Sequence, residues 1–290
     1  MVEPSARGER MTLGVVLALL ALYAIWGSTY LAMRVALETV PPFLMSGPRF
    51  VVAGLATYTY LRVRGAPAPT GAEWGASAKV GVLLLTFGNG AVAIAEQSVA
   101  SGVAAVVVAS MPIWAAIFGR LLGTPAKGGE WLGLILGFSG VVLLNLGGGL
   151  RLDGRGLVLV VAPIAWAAGS VWSKRLPLPA GAMATATQMI VGGSSMLLLA
   201  VVTGERLVHA PSARSMAAIV YLTVFGSIVA FSAYTWLLRN VRPALATSYA
   251  YVNPIVAVLL GWLLGGESIG LLTLAAAAAS IAGVALIARR

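Results

Sequence analysis

Cysteine is absent and histidine occurs once, at His209. Without thiols there are no disulfides and no Cys-based metal centre, and one imidazole cannot make a His cluster, so no metal is expected. The redox compartment leaves no mark on such a chain. Charge is scarce too: 10% of residues carry it, against about 25% in an ordinary soluble domain. Acids are the rarer sign, 9 Asp and Glu to 19 Lys and Arg, giving a formal net charge of +10. In a soluble domain that excess would point to nucleic acid. Here the cations sit in separate short loops with no basic stripe and no folded domain to present one, which argues against nucleic acid as a partner. A Walker loop, a nucleophile paired with a base, and two acids at a working separation are all missing. Their absence argues against ATP-driven transport by this chain and against an enzyme, and it leaves no cofactor to expect.

What the chain has in abundance is apolar length. Hydrophobic residues make up 59% of the 290 positions. A helix needs about 20 apolar residues to cross the hydrocarbon of a bilayer, and inside lipid every backbone amide must be satisfied within the protein, so such runs are helices. Ten runs qualify: 11–33, 42–62, 79–97, 99–122, 130–148, 156–174, 181–203, 214–238, 243–264 and 268–288. The fold class is therefore an all-α polytopic membrane protein with ten transmembrane helices. Connections are short, and only those near 63–78 and 204–213 hold more than a turn. The first run is too long for a signal peptide and lacks an A-x-A site before Arg34, so it reads as retained. Thirteen Lys and Arg fall on one side of these spans and five on the other, which places both termini in the cytoplasm. Arg49 lies inside a span and counts on neither side.

The chain also repeats itself. At an offset of 142, Pro254, Ile255, Ala257, Gly261, Leu263, Leu264 and Gly265 match Pro112, Ile113, Ala115, Gly119, Leu121, Leu122 and Gly123. Trp26 matches Trp166 and Arg34 matches Lys174 at 140; Gly54 matches Gly193 at 139, Gly88 matches Gly226 at 138, and Gly140 matches Gly283 at 143. Two domains follow, 1–150 and 151–290, each with five spans. Because five is odd, the second half should enter the membrane in the opposite sense, an inverted repeat around a central cavity.

The segments Ala24-Ile25-Trp26-Gly27-Ser28, Arg49 to Gly54, Ser98 to Pro112 with Gly119, and Asn253-Pro254 to Gly265-Gly266-Glu267 together resemble the drug/metabolite transporter superfamily, and more narrowly its EamA-domain type. The first half departs from the second where Thr124, Pro125 and Ala126 stand opposite Glu267. The resemblance implies two five-helix repeats and a permease for small metabolites or amino acids in a bacterial-type inner membrane, typically an exporter.

Candidate binding residues come from polar and aromatic side chains at membrane depth. Trp26 and Trp166 fall near mid-span, away from the interfacial belts that tryptophan favours, and suit the walls of a cavity or plain core packing, with Ser28, Tyr30 and Ser170 beside them. Asn89, Ala93 and Glu96 share one face of the third span, matched in the second half by Ser227, Phe231 and Tyr234. Glu96 is a candidate proton-linked acid, an interfacial acid, or a partner of Arg49. Tyr249 and Asn253 lie one turn apart before Pro254, where a proline should disturb the helix, and Met111 holds the equivalent place before Pro112. Pro112, Pro254, Gly88 and Gly226 are candidate hinges. The pairs Gly119 with Gly123, Gly133 with Gly137, and Gly261 with Gly265 are spaced for close helix contact, and the Gly-rich fifth and tenth spans suit scaffolding or a homodimer contact. These readings converge on a secondary transporter exporting neutral metabolites, above all hydrophobic or aromatic amino acids, by alternating access. A partner-dependent flippase component for lipid-linked substrates is the alternative.

Overall fold

The computed structural model describes residues 11–99, 101–126, 128–145, 157–265 and 270–288, with the side chains of 101–103, 105, 145, 257–258 and 261–265 outside that description. Ten helices occupy the described residues: α1 Leu13–Leu37, α2 Pro42–Val63, α3 Gly71–Ala95, α4 Ser101–Val108 continued by Met111–Leu121, α5 Gly128–Asn145, α6 Val161–Trp172, α7 Ala182–Val202, α8 Ala213–Asn240, α9 Pro243–Ala246 continued by Tyr249–Gly265, and α10 Leu271–Ala288. Of these, α1, α3, α7, α8 and α10 are long and apolar enough to cross a membrane unaided, while α4, α5 and α6 carry shorter apolar stretches. Large apolar side chains point outward along these helices, among them Leu17, Leu20, Leu55, Leu198, Leu272 and Ile281. Water would not tolerate such a surface, and lipid does.

Three boundaries differ from the sequence expectation. Helix α3 starts at Gly71, inside the stretch expected to be a loop, because Thr70 and Glu73 form a reciprocal capping box that satisfies its first amides. Helix α4 breaks at 109–110, just ahead of Pro112, as a proline in the first turn of a new segment should make it. The matching interruption in α9 does not sit at Pro254. It falls at 247–248, where the Thr247 hydroxyl donates to the Pro243 carbonyl and the Ser248 hydroxyl to that of Leu245. Pro254 itself lies within continuous helix.

The two halves pack in one pattern that survives their exchange. Helix α1 lies against α8 and α9, and its equivalent α6 lies against α3 and α4; α2 meets α7, and α5 meets α10. Glycine sets the two like-with-like pairs. Gly47 faces Leu197 and Gly54 faces Ile190, so α2 and α7 run antiparallel. Gly133 and Gly140 face Gly283 and Ser280, Gly137 faces the Tyr251 ring of α9, and a Cβ on Gly283 would lie 2.4 Å from the Gly137 nitrogen. The small residues of α5 and α10 are thus consumed by each other, the scaffolding role. The other expected close pair behaves differently: Gly119 sits under its own C-terminal loop, where a Cβ would lie 3.0 Å from the Thr124 carbonyl oxygen, and Gly123 has φ +79 with open space around it. That is a helix C-cap rather than a packing face. Gly261 and Gly265 fall among the undescribed side chains, and Glu267 outside the described residues.

Helices α3 and α8 each contain a π-helical stretch, Val82–Asn89 and Leu222–Ala230, at equivalent places in the two halves. The wider turn carries Gly88 and Gly226 toward the centre of the bundle.

Candidate functional site

At that centre a tryptophan from each half meets the other. Trp26 of α1 and Trp166 of α6 touch edge to face, centroids 5.5 Å apart at 88°. Tyr249 of α9 closes on Trp26 at 4.6 Å and Tyr234 of α8 at 5.2 Å, with the two tyrosines 5.8 Å apart at 89°. Edge-to-face pairs of this kind place the positive ring rim on the negative face of the next ring, adding about 1 kcal/mol each beyond burial. The Trp26 indole N–H donates to the Gly226 carbonyl at 3.1 Å, whereas Trp166 lies so close to Gly88 that a Cβ there would be 2.5 Å from its Cε3. Each tryptophan is therefore seated on the other half's central glycine.

Beside the ring cluster lies a cavity of about 70 Å³. Trp26, Met33, Val108, Met111, Pro163 and Trp166 supply its apolar wall; Thr29, Tyr30, Asn89, Tyr249 and Asn253 supply polar atoms. Asn253 is 2% exposed and its Oδ1 accepts no hydrogen bond, although its side chain engages the Tyr30 hydroxyl. The Trp166 N–H is also without a partner; it approaches the Tyr234 hydroxyl outside hydrogen-bond geometry. Tyr249 donates to the Met111 sulfur at 3.5 Å. Of the residues expected from the sequence, Trp26, Tyr30, Asn89, Met111, Trp166, Tyr249 and Asn253 thus come together on this cavity, with Gly88 in its wall.

Three expected wall residues, Ser28, Ser170 and Tyr234, do not line the cavity. Ser28 donates to the Ile25 carbonyl and pairs with the Tyr221 hydroxyl at 2.6 Å, on the face of α1 that packs on α8. Ser170 donates to the Trp166 carbonyl and meets the Tyr234 hydroxyl at 2.5 Å, so both stand behind the rings instead of facing the cavity. A helix turn separates such neighbours by about 100°, and only packing decides which of them faces inward. Pro112 and Pro254 do not line the cavity either.

Two further residues, Thr29 and Arg49, belong to the site's surroundings. Thr29 lines the cavity with its hydroxyl bonded back to Trp26. Arg49, 4% exposed, lines a smaller adjoining chamber of about 30 Å³ that shares Trp26, Thr29, Met33, Asn89 and Trp166 with the first. An arginine inside an apolar span was itself the signal, since lipid does not tolerate it without purpose.

Larger openings flank this centre. One, about 580 Å³, is lined by Arg34, Glu38, Glu96, Gln97, Arg206 and His209 around the C-terminal ends of α1 and α3. The other, about 350 Å³, is lined by Lys174, Gln188, Thr235 and Arg239 around the corresponding ends of α6 and α8. Arg34 and Lys174 are the matched pair of the repeat. Between the second opening and the cavity stand the Ser170–Tyr234 contact and a Thr185–Thr235 hydroxyl pair at 2.5 Å. Toward the first stand Tyr30, Asn89 and Glu96.

Comparison with known proteins agrees with the duplicated plan. The model of the EamA-like transporter family matches twice, over residues 12–146 and 155–289. The chain is 47% identical over 254 residues to an Escherichia coli K12 protein described as uncharacterized inner membrane transporter YedA, covering 87% of this chain and 83% of that one. It is 26% identical to a WAT1-related chloroplastic protein of Arabidopsis thaliana, across 93% of this chain and 68% of that one. A solved structure described only as a crystal structure of protein superposes with a TM-score of 0.76 at 20% identity, over 94% of this chain and 95% of the other, which speaks to the fold alone. The chain belongs to the EamA-like transporter family, a family of transporters and not of enzymes.

Proposed function

We propose that this chain is a secondary permease of a bacterial inner membrane that moves neutral small metabolites, foremost hydrophobic or aromatic amino acids, outward by alternating access. The observation that carries the reading is a central cavity between two larger openings, one at the C-terminal ends of α1 and α3 and the other at the corresponding ends of α6 and α8. In that scheme residues 1–150 and 151–290 are inverted five-helix units, in keeping with the antiparallel run of α2 and α7. Both termini lie in the cytoplasm, so the opening around Lys174 faces the cytoplasm and the one around Arg34 the outside. In that cycle the tryptophans and Tyr234 with Ser170 act as the cytoplasmic barrier, and Tyr30 with Asn253 as the outer one. Interconversion hinges on Gly88, Gly226, Pro112 and Pro254. The Glu96 carboxylate, both of whose oxygens lack hydrogen bonds, stands at the rim of the outer opening as a proton-linked acid.

The inner membrane enters from the printed description of the 47% identical relative. The solute class is favoured by the cavity lining, in which uncharged amides and hydroxyls alternate with aromatic and aliphatic walls. Proteoliposomes loaded with labelled leucine or phenylalanine should release label to unlabelled solute outside. Trp166→Ala and Asn253→Ala should each lower that flux by roughly tenfold, the effect of about 1.4 kcal/mol. Unchanged flux in both variants would remove the site assignment.

A further inference from the structure

Arg49 is a buried cation. Its guanidinium lies 4.4 Å from the Phe50 ring centroid, its Nη2 donates to Asn89 Oδ1 at 2.9 Å, and its Nε has no acceptor. Among the described residues it forms no ion pair. The acid whose field reaches it is Glu96, yet both Glu96 oxygens are themselves without a hydrogen bond. A structural arginine at this depth would be expected to close on that carboxylate, because a buried charge left open costs several kcal/mol. Instead the guanidinium is held by Asn89, which lines both the central cavity and the adjoining chamber. Asn89 thus fixes the cation at the junction while leaving part of its donor fork free. A neutral amide is a weak acceptor for a guanidinium, and a carboxylate is a strong one that can take two parallel N–H bonds.

We propose that Arg49, steadied by Asn89, is the anchor for a carboxylate of the transported solute, and that the solute class is therefore organic carboxylates with an apolar body. The apolar body lies along Trp26, Met33 and Trp166, and the carboxylate enters the adjoining chamber that Arg49 lines. This deepens the permease reading above and rests on the same cavity. It also assigns a positive group to a site whose other polar atoms are uncharged, and so explains how the site tells an acid from its amide. An α-ammonium is a separate matter: Asn253, whose Oδ1 is open, lines the central cavity and could take one, and the test separates solutes with and without it.

The experiment uses the full chain in detergent and in proteoliposomes with four matched pairs: leucine and leucinamide, phenylalanine and phenylalaninamide, 4-methylpentanoate and its carboxamide, 3-phenylpropanoate and its carboxamide. Binding is read as the ligand concentration giving half the maximal rise in melting temperature, and transport as efflux of labelled acid. In the wild-type protein at least one acid should bind roughly tenfold or more tightly than its amide, as loss of a charge-assisted contact requires. Arg49→Gln should bring the pair within about twofold of each other, and Arg49→Lys should retain part of the preference. A merely structural arginine would lower stability without changing the acid-to-amide ratio. Equal binding of acids and amides by the wild-type protein, a ratio preserved in Arg49→Gln, or no acid bound or moved at all would each overturn the proposal. Should Arg49→Gln not fold, the wild-type ratio alone decides. Selective binding of acids with no efflux would leave the Arg49 site standing and remove the permease reading.

Discussion

The two central glycines make opposite demands, and Gly88→Ala set against Gly226→Ala turns that into a measurement. A Cβ on Gly88 would lie 2.5 Å from Cε3 of Trp166 and 3.4 Å from Cδ2. Carbon atoms pack best at about 3.5–4.0 Å, so the indole must retreat by roughly 1 Å, and the space open to it is the central cavity. A Cβ on Gly226 would meet the Thr29 methyl at 3.2 Å and otherwise little, which a few tenths of an ångström relieves. Overpacking of the first kind costs about 1–3 kcal/mol. Gly88→Ala should therefore lower the melting temperature in detergent and cut solute flux by at least about fivefold, the factor that corresponds to 1 kcal/mol. Gly226→Ala should fall within about twofold of wild type on the same scale. Tryptophan fluorescence gives an independent reading: the emission maximum should move in Gly88→Ala, where the indole is displaced toward the cavity, and hold in Gly226→Ala. If the two variants match in stability, flux and emission, the seating of Trp166 on Gly88 is wrong, and with it the view that the ring cluster and the cavity share one wall.

Two further predictions follow from contacts away from the site. Gly283→Ala places a methyl 2.4 Å from backbone of Gly137 and should destabilise the fold by about 2 kcal/mol after the helix-propensity gain of about 1 kcal/mol is set against the clash; Gly75→Ala, with nothing within 4 Å, should keep that gain and raise the melting temperature. Equal melting temperatures for the pair would refute the close α5–α10 approach. Glu130, 5% exposed, accepts from Arg242 at 2.5 Å, and Arg242 also donates to the Ile287 carbonyl at 3.1 Å. Glu130→Gln should cost about 1–3 kcal/mol, as loss of a buried charged partner does, with flux per folded molecule unchanged; a variant as stable as wild type would show that this tie is idle.

The sequence by itself determined what the solvent dictates. Hydrocarbon requires long apolar helices, so apolar runs mark the spans, and an internal duplication leaves identities at fixed offset, so the sequence alone pairs Trp26 with Trp166 and Gly88 with Gly226. Rarity was informative as well: an amide or a ring at mid-depth is costly unless used, which is why Asn89, Tyr249 and Asn253 stood out and do meet at one cavity. What the tertiary structure alone decided is rotation and partnership. Residues around a helix differ by about 100° per step, and a helix that is apolar all round carries no stripe to say which face turns inward. Ser28 and Ser170 therefore read as wall residues beside the tryptophans, while packing turns Ser28 to Tyr221 and Ser170 to Tyr234. The same limit hid the contact of Arg49 with Asn89, which joins two helices across 40 positions in the chain. Proline told where a helix could break but not where it does: the break ahead of Pro112 and the intact helix at Pro254 differ because Thr247 and Ser248, with Tyr23 bonded across to Ser248 at 2.7 Å, take the interruption upstream.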